Sequence, residues 1–101
     1  MKKRMISFNE FLTHVYRQAN GQPLDPFTIK DYLSYCNTGG SRFHRGEGGL
    51  YWISTLEEAL AYEPAFKYEC SKYYVEPGNA VRAYSAYMEF IEYEVHERLA
   101  A

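Results

Sequence analysis

The sequence predicts an α+β fold, mostly helical, with four or five helices and a short strand or hairpin near residues 50–53, in a single domain spanning 1–101. Three observations predict it. Apolar residues recur at helical spacing over most of the chain. Two Ser-x-x-Glu signatures, Ser7 with Glu10 and Ser54 with Glu57, mark helix starts. Leu50-Tyr51-Trp52-Ile53 is a short β-prone run following a glycine-rich stretch.

Taken in order, the first helix opens on the Ser7–Glu10 capping box, with Ile6 placed to pack back onto Phe11. Phe8, Phe11, Leu12, Val15, Tyr16 and Ala19 form its apolar stripe, and Asn20-Gly21 supplies a left-handed stop. A second helix starts at Asp25-Pro26, an N-cap followed by proline at the first helical position. Phe27, Ile29, Tyr32, Leu33 and Cys36 are its inward positions, and Asn37-Thr38-Gly39-Gly40 ends it.

Residues 39–49 carry five glycines, too many for a helix and poor material for a strand. After the predicted strand, Ser54 opens a short helix that Pro64 closes. Residues 65–76 fit both periods, and the pattern leans to helix turning extended near Tyr74-Val75. Pro77-Gly78 is a turn, and Asn79 caps a long last helix with Val81, Tyr84, Met88, Ile91, Val95 and Leu99 as its core stripe. Glu89, Glu92, Glu94 and Glu97 point largely the other way.

Composition narrows the class further. A charged fraction of 24% beside 47% hydrophobic residues describes an ordinary globular chain. No apolar run approaches the roughly 18 residues of a membrane span. Met1-Lys2-Lys3-Arg4 begins like a signal peptide, but Asn9, Glu10 and His14 interrupt the apolar segment one would need. Cys36 and Cys70 belong to no Cys-x-x-Cys pair and read as reduced core thiols, with a single bridge between them left open. The expected protein is therefore soluble and cytoplasmic.

Net charge is −2, yet residues 1–46 hold seven Lys/Arg against three Asp/Glu (+4), while residues 47–101 hold four against ten (−6). Such polarity can orient a molecule on a partner. The other unusual quantity is aromatic: eleven tyrosines, six phenylalanines and one tryptophan, more rings than a core of this size is expected to enclose. Tyrosine suits interfaces because it buries a ring while its hydroxyl stays at a wet edge.

Few residues point to chemistry. Arg42, Phe43, His44 and Arg45 sit on the glycine-rich stretch, where guanidinium forks and free N–H groups suit an anion and a ring can stack on a base. The Gly-Lys-Ser/Thr ending of a P-loop is missing. Three scattered histidines and two separated thiols do not make the three or four ligands of a zinc site, so no metal and no cofactor is expected.

The stretch from Gly39 to Glu63 resembles the opening of RES-domain proteins, through Arg42-Phe43, Leu50-Tyr51 and Ala59-Leu60-Ala61. That resemblance implies consumption of NAD⁺ on a strand-containing fold related to ADP-ribosyltransferases. Arg42 and Tyr51 would then share a pocket with a carboxylate such as Glu63. The family's glutamate position is Tyr62 here, and Glu63 follows one residue later.

Three function classes stand after this survey. The leading expectation is a small protein-binding module, an inhibitor or regulator of another macromolecule of the phage or mobile-element type. Its contacts would come from Arg42, Phe43, His44, Arg45, Tyr68, Tyr73, Tyr74, Glu89 and Glu92. The alternatives are nucleic-acid binding through Lys2, Lys3, Arg4, Arg42 and Arg45, and the NAD⁺-consuming enzyme. Whether the chain forms a homodimer stays open.

Overall fold

The computed structural model describes residues 6–42, 49–74 and 77–100. Four α-helices account for most of them: α1 (Phe8–His14), α2 (Pro26–Arg42), α3 (Leu56–Tyr73) and α4 (Gly78–Ala100). A single 3-10 turn, Gly49–Trp52, precedes α3. There is no strand among the described residues, so the α+β class gives way to an all-helical one.

The segment expected as a strand shows why. Leu50 and Ile53 are both fully buried, and the Ile53 N–H donates to the Leu50 carbonyl at 3.0 Å. A strand would send residues three apart to opposite faces, whereas a 3-10 turn brings them to one side. The β-prone composition of this run reflects a preference for packed, half-buried surfaces more than for extended backbone. Here that packing is provided by the core cluster rather than by a neighbouring strand.

Helix α1 opens on the expected capping box: the Glu10 N–H donates to Ser7 Oγ at 3.0 Å, and the Ser7 N–H donates to Glu10 Oε1 at 3.1 Å. It stops at His14, short of Ala19, as the Tyr16 N–H reaches back to the Phe11 carbonyl at 2.8 Å. Gly21, with φ +85°, therefore serves the turn that follows and does not end the helix. Helix α2 starts behind Asp25, whose carboxylate accepts from the Thr28 N–H at 2.8 Å. It continues to Arg42 and does not end at Asn37–Gly40. A glycine costs a helix about 1 kcal/mol, a weak prior that tertiary packing overrides.

Helix α3 is capped one residue later than expected, by Thr55 with Glu58. Pro64 lies inside this helix and does not end it. Its missing N–H deprives only the Leu60 carbonyl four residues earlier, and both residues lie on the exposed side, where solvent can satisfy that group. Helix α3 then absorbs residues 65–73, and Tyr74 is extended at its end, in line with the expectation; residues 75–76 lie outside the described set.

Helix α4 begins at Gly78, with Asn79 inside it and not capping it. Its buried stripe is Ala80, Ala83, Tyr84, Ala86, Tyr87, Phe90, Ile91 and Glu94. Val95 and Leu99, expected inward, are exposed, and Glu94, expected outward, is buried. Five small or aromatic positions early in the helix, Ala80, Ala83, Tyr84, Ala86 and Tyr87, set this rotation, because alanines let neighbouring backbone approach while the rings reach across. Phe27 is likewise turned out, at 82% exposed.

One cluster of buried side chains draws on all four helices and the 3-10 turn. Phe8 and Phe11 from α1 meet Phe90 of α4 with ring centres 5.4 and 5.3 Å apart, and Phe66 of α3 stacks on Tyr84 of α4 at 4.6 Å. No helix among the described residues is long and apolar enough to cross a membrane.

Candidate protein-docking face

Helix α3 is apolar on two sides. Its inner side sets Ala59, Tyr62, Phe66 and Cys70 into the core, at the three-to-four-residue spacing of one helix face. Its outer side carries Glu57, Leu60, Ala61, Pro64, Ala65, Tyr68, Ser71 and Lys72, all exposed. Leu60 is 54% and Tyr68 63% exposed, and Ala61, Pro64 and Ala65 lie exposed between them. A helix that needs only one apolar side to anchor itself carries a second one here.

The 3-10 turn extends this surface. Trp52 is 39% exposed and leans edge-on against Tyr62 at 5.5 Å. Together with Glu58, Ala61 and Ala65 these two rings border an open depression of about 270 Å³. At the far end of α3, the Lys72 ammonium lies 5.3 Å from the Tyr68 ring centre and 5.9 Å from that of Tyr73. Such cation–π contacts hold a long, mobile side chain on the surface it borders.

The expected contact residues divide between places. Tyr68 and Tyr73 are exposed on α3. Tyr74 is half-buried, its ring edge-on to Tyr35 of α2 at 5.4 Å, so part of it belongs to the packing. Glu89 and Glu92 lie elsewhere, bordering an open groove of about 250 Å³ between the end of α1 and α4 with Tyr16, Arg17, Tyr93 and His96. Burial first, and then the Glu92 carboxylate, push the Glu89 carboxyl above its usual range. Burial and Glu89 likewise push the Tyr16 phenol up.

Arg42 is the last residue of α2, and Phe43, His44 and Arg45 lie outside the described residues, as do Lys2, Lys3 and Arg4. Of the residues the RES-domain resemblance singles out, Tyr51 is half-buried against Phe8 and Tyr87, and Glu63 pairs with Lys67 at 3.4 Å. The strand-containing fold which that resemblance implies is not the fold of the described residues. Both cysteines are free and buried; burial pushes the Cys70 thiol up to about 11 and the Cys36 thiol higher still. No group of three or more His, Cys, Asp or Glu side chains among the described residues could hold a metal ion.

No family model matches the chain, and no curated protein or solved structure matches it. Of this outer face the sequence singles out Tyr68 alone. Leu60, Ala61, Pro64 and Ala65 recur at 3.6-residue spacing, a signal visible once Pro64 is read as part of the helix.

Proposed function

We propose that the protein is a binding module for another protein, acting by docking as an inhibitor or regulator, and that its contact surface is the outer face of α3 with Trp52. One observation carries the proposal: an exposed, largely apolar stripe of Leu60, Ala61, Pro64, Ala65 and Tyr68 on a helix already anchored by its opposite side. Contiguous exposed apolar surface on a small domain marks interaction sites. Large rings at the edge of small residues suit the aromatic anchors that dominate binding energy.

The chemistry of the stripe also describes its partner. A long helix face with small residues at its centre fits an amphipathic helix laid along it. Glu57 at one end and Lys72 at the other favour a partner helix that offers a cation and an anion at matching ends.

Affinity capture from extract tests this with a control built in. The wild-type chain is expected to retain a second protein in stoichiometric amount, and Tyr68→Glu and Leu60→Glu are expected to lose it. Asp31→Asn, exposed on α2, is expected to keep it. Failure to retain any such protein, or its retention by both α3 variants, would overturn the proposal.

A further inference from the structure

The order of residues on the outer face of α3 has a symmetry that a docking surface for unrelated partners does not need. Reading along the helix, the exposed residues are Glu57, then Leu60 and Ala61, then Pro64 and Ala65, then Tyr68, then Ser71 and Lys72. A two-fold axis through the point between Pro64 and Ala65, perpendicular to the helix, brings an identical helix across this face in antiparallel orientation. It then sets Glu57 against Lys72, Ala61 against Tyr68, and Pro64 against Ala65. These three pairs are complementary: a carboxylate faces an ammonium, a methyl faces a ring, and the two central residues are both small, whereas Leu60 and Ser71, level with Glu69 and Glu58, have no such counterpart. We infer that this face pairs with a second copy of the chain, as an antiparallel α3–α3 contact about residues 64 and 65.

Several features of the monomer favour that occupant. In a two-fold contact each complementary pair occurs twice, so Glu57 meets the second copy's lysine at both ends. Parallel pairing would instead set Glu57 beside Glu57 and Lys72 beside Lys72, two like-charge contacts that the antiparallel arrangement avoids. Antiparallel helices also place opposite ends of their dipoles side by side. Ala61, Pro64 and Ala65 let two helix axes approach closely, towards the short end of the usual ~8–10 Å separation. The rings of Tyr68 and Tyr73 already hold the Lys72 ammonium over this face.

The size of the face sets the strength. From Glu57 to Lys72 it extends about 22 Å at 1.5 Å per residue. One helix face of that length covers less than the ~800 Å² per partner of a standard stable interface. The dimer is accordingly weak, dissociating in the micromolar range or above. It rests on the proposal that α3 docks proteins, and it adds that the free chain covers its own docking face, which a stronger partner then displaces.

Sedimentation equilibrium of the full chain at about 10–300 µM, a range chosen for micromolar affinity, tests the pairing. The wild type is expected to move from monomer to dimer across it. Glu57→Lys and Lys72→Glu are each expected to raise the dissociation constant about tenfold, since each turns two attractions into two repulsions. The double exchange, Glu57→Lys with Lys72→Glu, is expected to return it to within about threefold of wild type. Both residues are exposed, and circular dichroism of each variant verifies that the helices are kept. A wild type that stays monomeric throughout, or a double exchange no better than the single ones, overturns the self-pairing. Captured protein that still depends on Tyr68 in a monomeric chain leaves the docking function standing; capture indifferent to both Tyr68 and Leu60 removes the docking function.

Discussion

Tyr87 unites two kinds of attachment in one side chain. Its ring meets Phe8 edge-on at 5.2 Å and Phe90 at 5.9 Å, while its hydroxyl donates to the Ile53 carbonyl at 2.7 Å. Tyr84 does the same one turn earlier, stacking on Phe66 and donating to the Ala59 carbonyl at 2.5 Å. In both, the ring is buried and the hydroxyl ties α4 to backbone of the segment it covers, so neither phenol is left unsatisfied. Tyr87→Phe is therefore expected to cost about 1 kcal/mol, the net worth of one hydrogen bond, with little change in packing. Phe90→Ala removes a fully buried ring touching Phe8, Phe11 and Tyr87, at an expected cost of about 3–5 kcal/mol. That is a large part of the ~5–15 kcal/mol total of a small domain. Urea unfolding of the two variants checks both. Equal costs for the two, or a cost below ~1 kcal/mol for Phe90→Ala, would contradict this packing.

Among the elements, the helix starts answer to pH. The Glu10 and Glu58 carboxyls lie below their usual value of 4.5, held down first by N–H donors of Ser7 and Ser54. Asp25 lies below 3.8, held first by the Thr28 N–H. A carboxyl lowered on folding stabilises the fold fully above its unfolded value and loses that contribution as pH falls through the lowered one. Glu89, pushed up by burial and by Glu92, acts in the opposite sense: its strain is relieved as pH falls through its raised value. Thermal melts are expected to show stability falling as pH drops below about 4. In Glu58→Gln that fall should be shallower, and an unchanged acid slope would contradict the capping role.

The same helix starts show what local pattern can and cannot fix. Ser7 with Glu10 is legible because only one such pair exists there. At α3 two signatures overlap, Ser54 with Glu57 and Thr55 with Glu58, and spacing alone cannot choose between them. The structure takes the later one, the Glu58 N–H donating to Thr55 Oγ1 at 3.1 Å, and leaves Glu57 exposed. Pro64 and the α2 glycines misled for a related reason. Their helix-breaking cost is local, whereas the contacts that outweigh it are long-range and invisible to a window of residues. The strand near residues 50–53 failed on the same ground, because its apolar residues face the core of helices and no partner strand.

For the molecule as a whole, the surplus of rings was the informative quantity. Phe8, Phe11, Tyr32, Tyr62, Phe66, Tyr84, Tyr87 and Phe90 are buried, whereas Phe27, Trp52, Tyr68 and Tyr73 are exposed. Composition could reveal that surplus but not its address, which depends on the turn that α3 presents to the outside. Two exposed tyrosines belong to α3, Trp52 borders it, and Phe27 stands apart at the start of α2. The proposed binding function and the proposed self-pairing thus depend on one surface, and amide chemical shifts of the labelled full chain over a dilution series test its location directly. From about 500 to 20 µM, spanning a weak micromolar equilibrium, the shifts are expected to change at Glu57, Leu60, Ala61, Ala65, Tyr68 and Lys72 and at the Trp52 indole. Shifts that do not change with dilution, or that change along the α1–α4 groove around Tyr16 and Glu89 instead, would contradict the placing of association on α3.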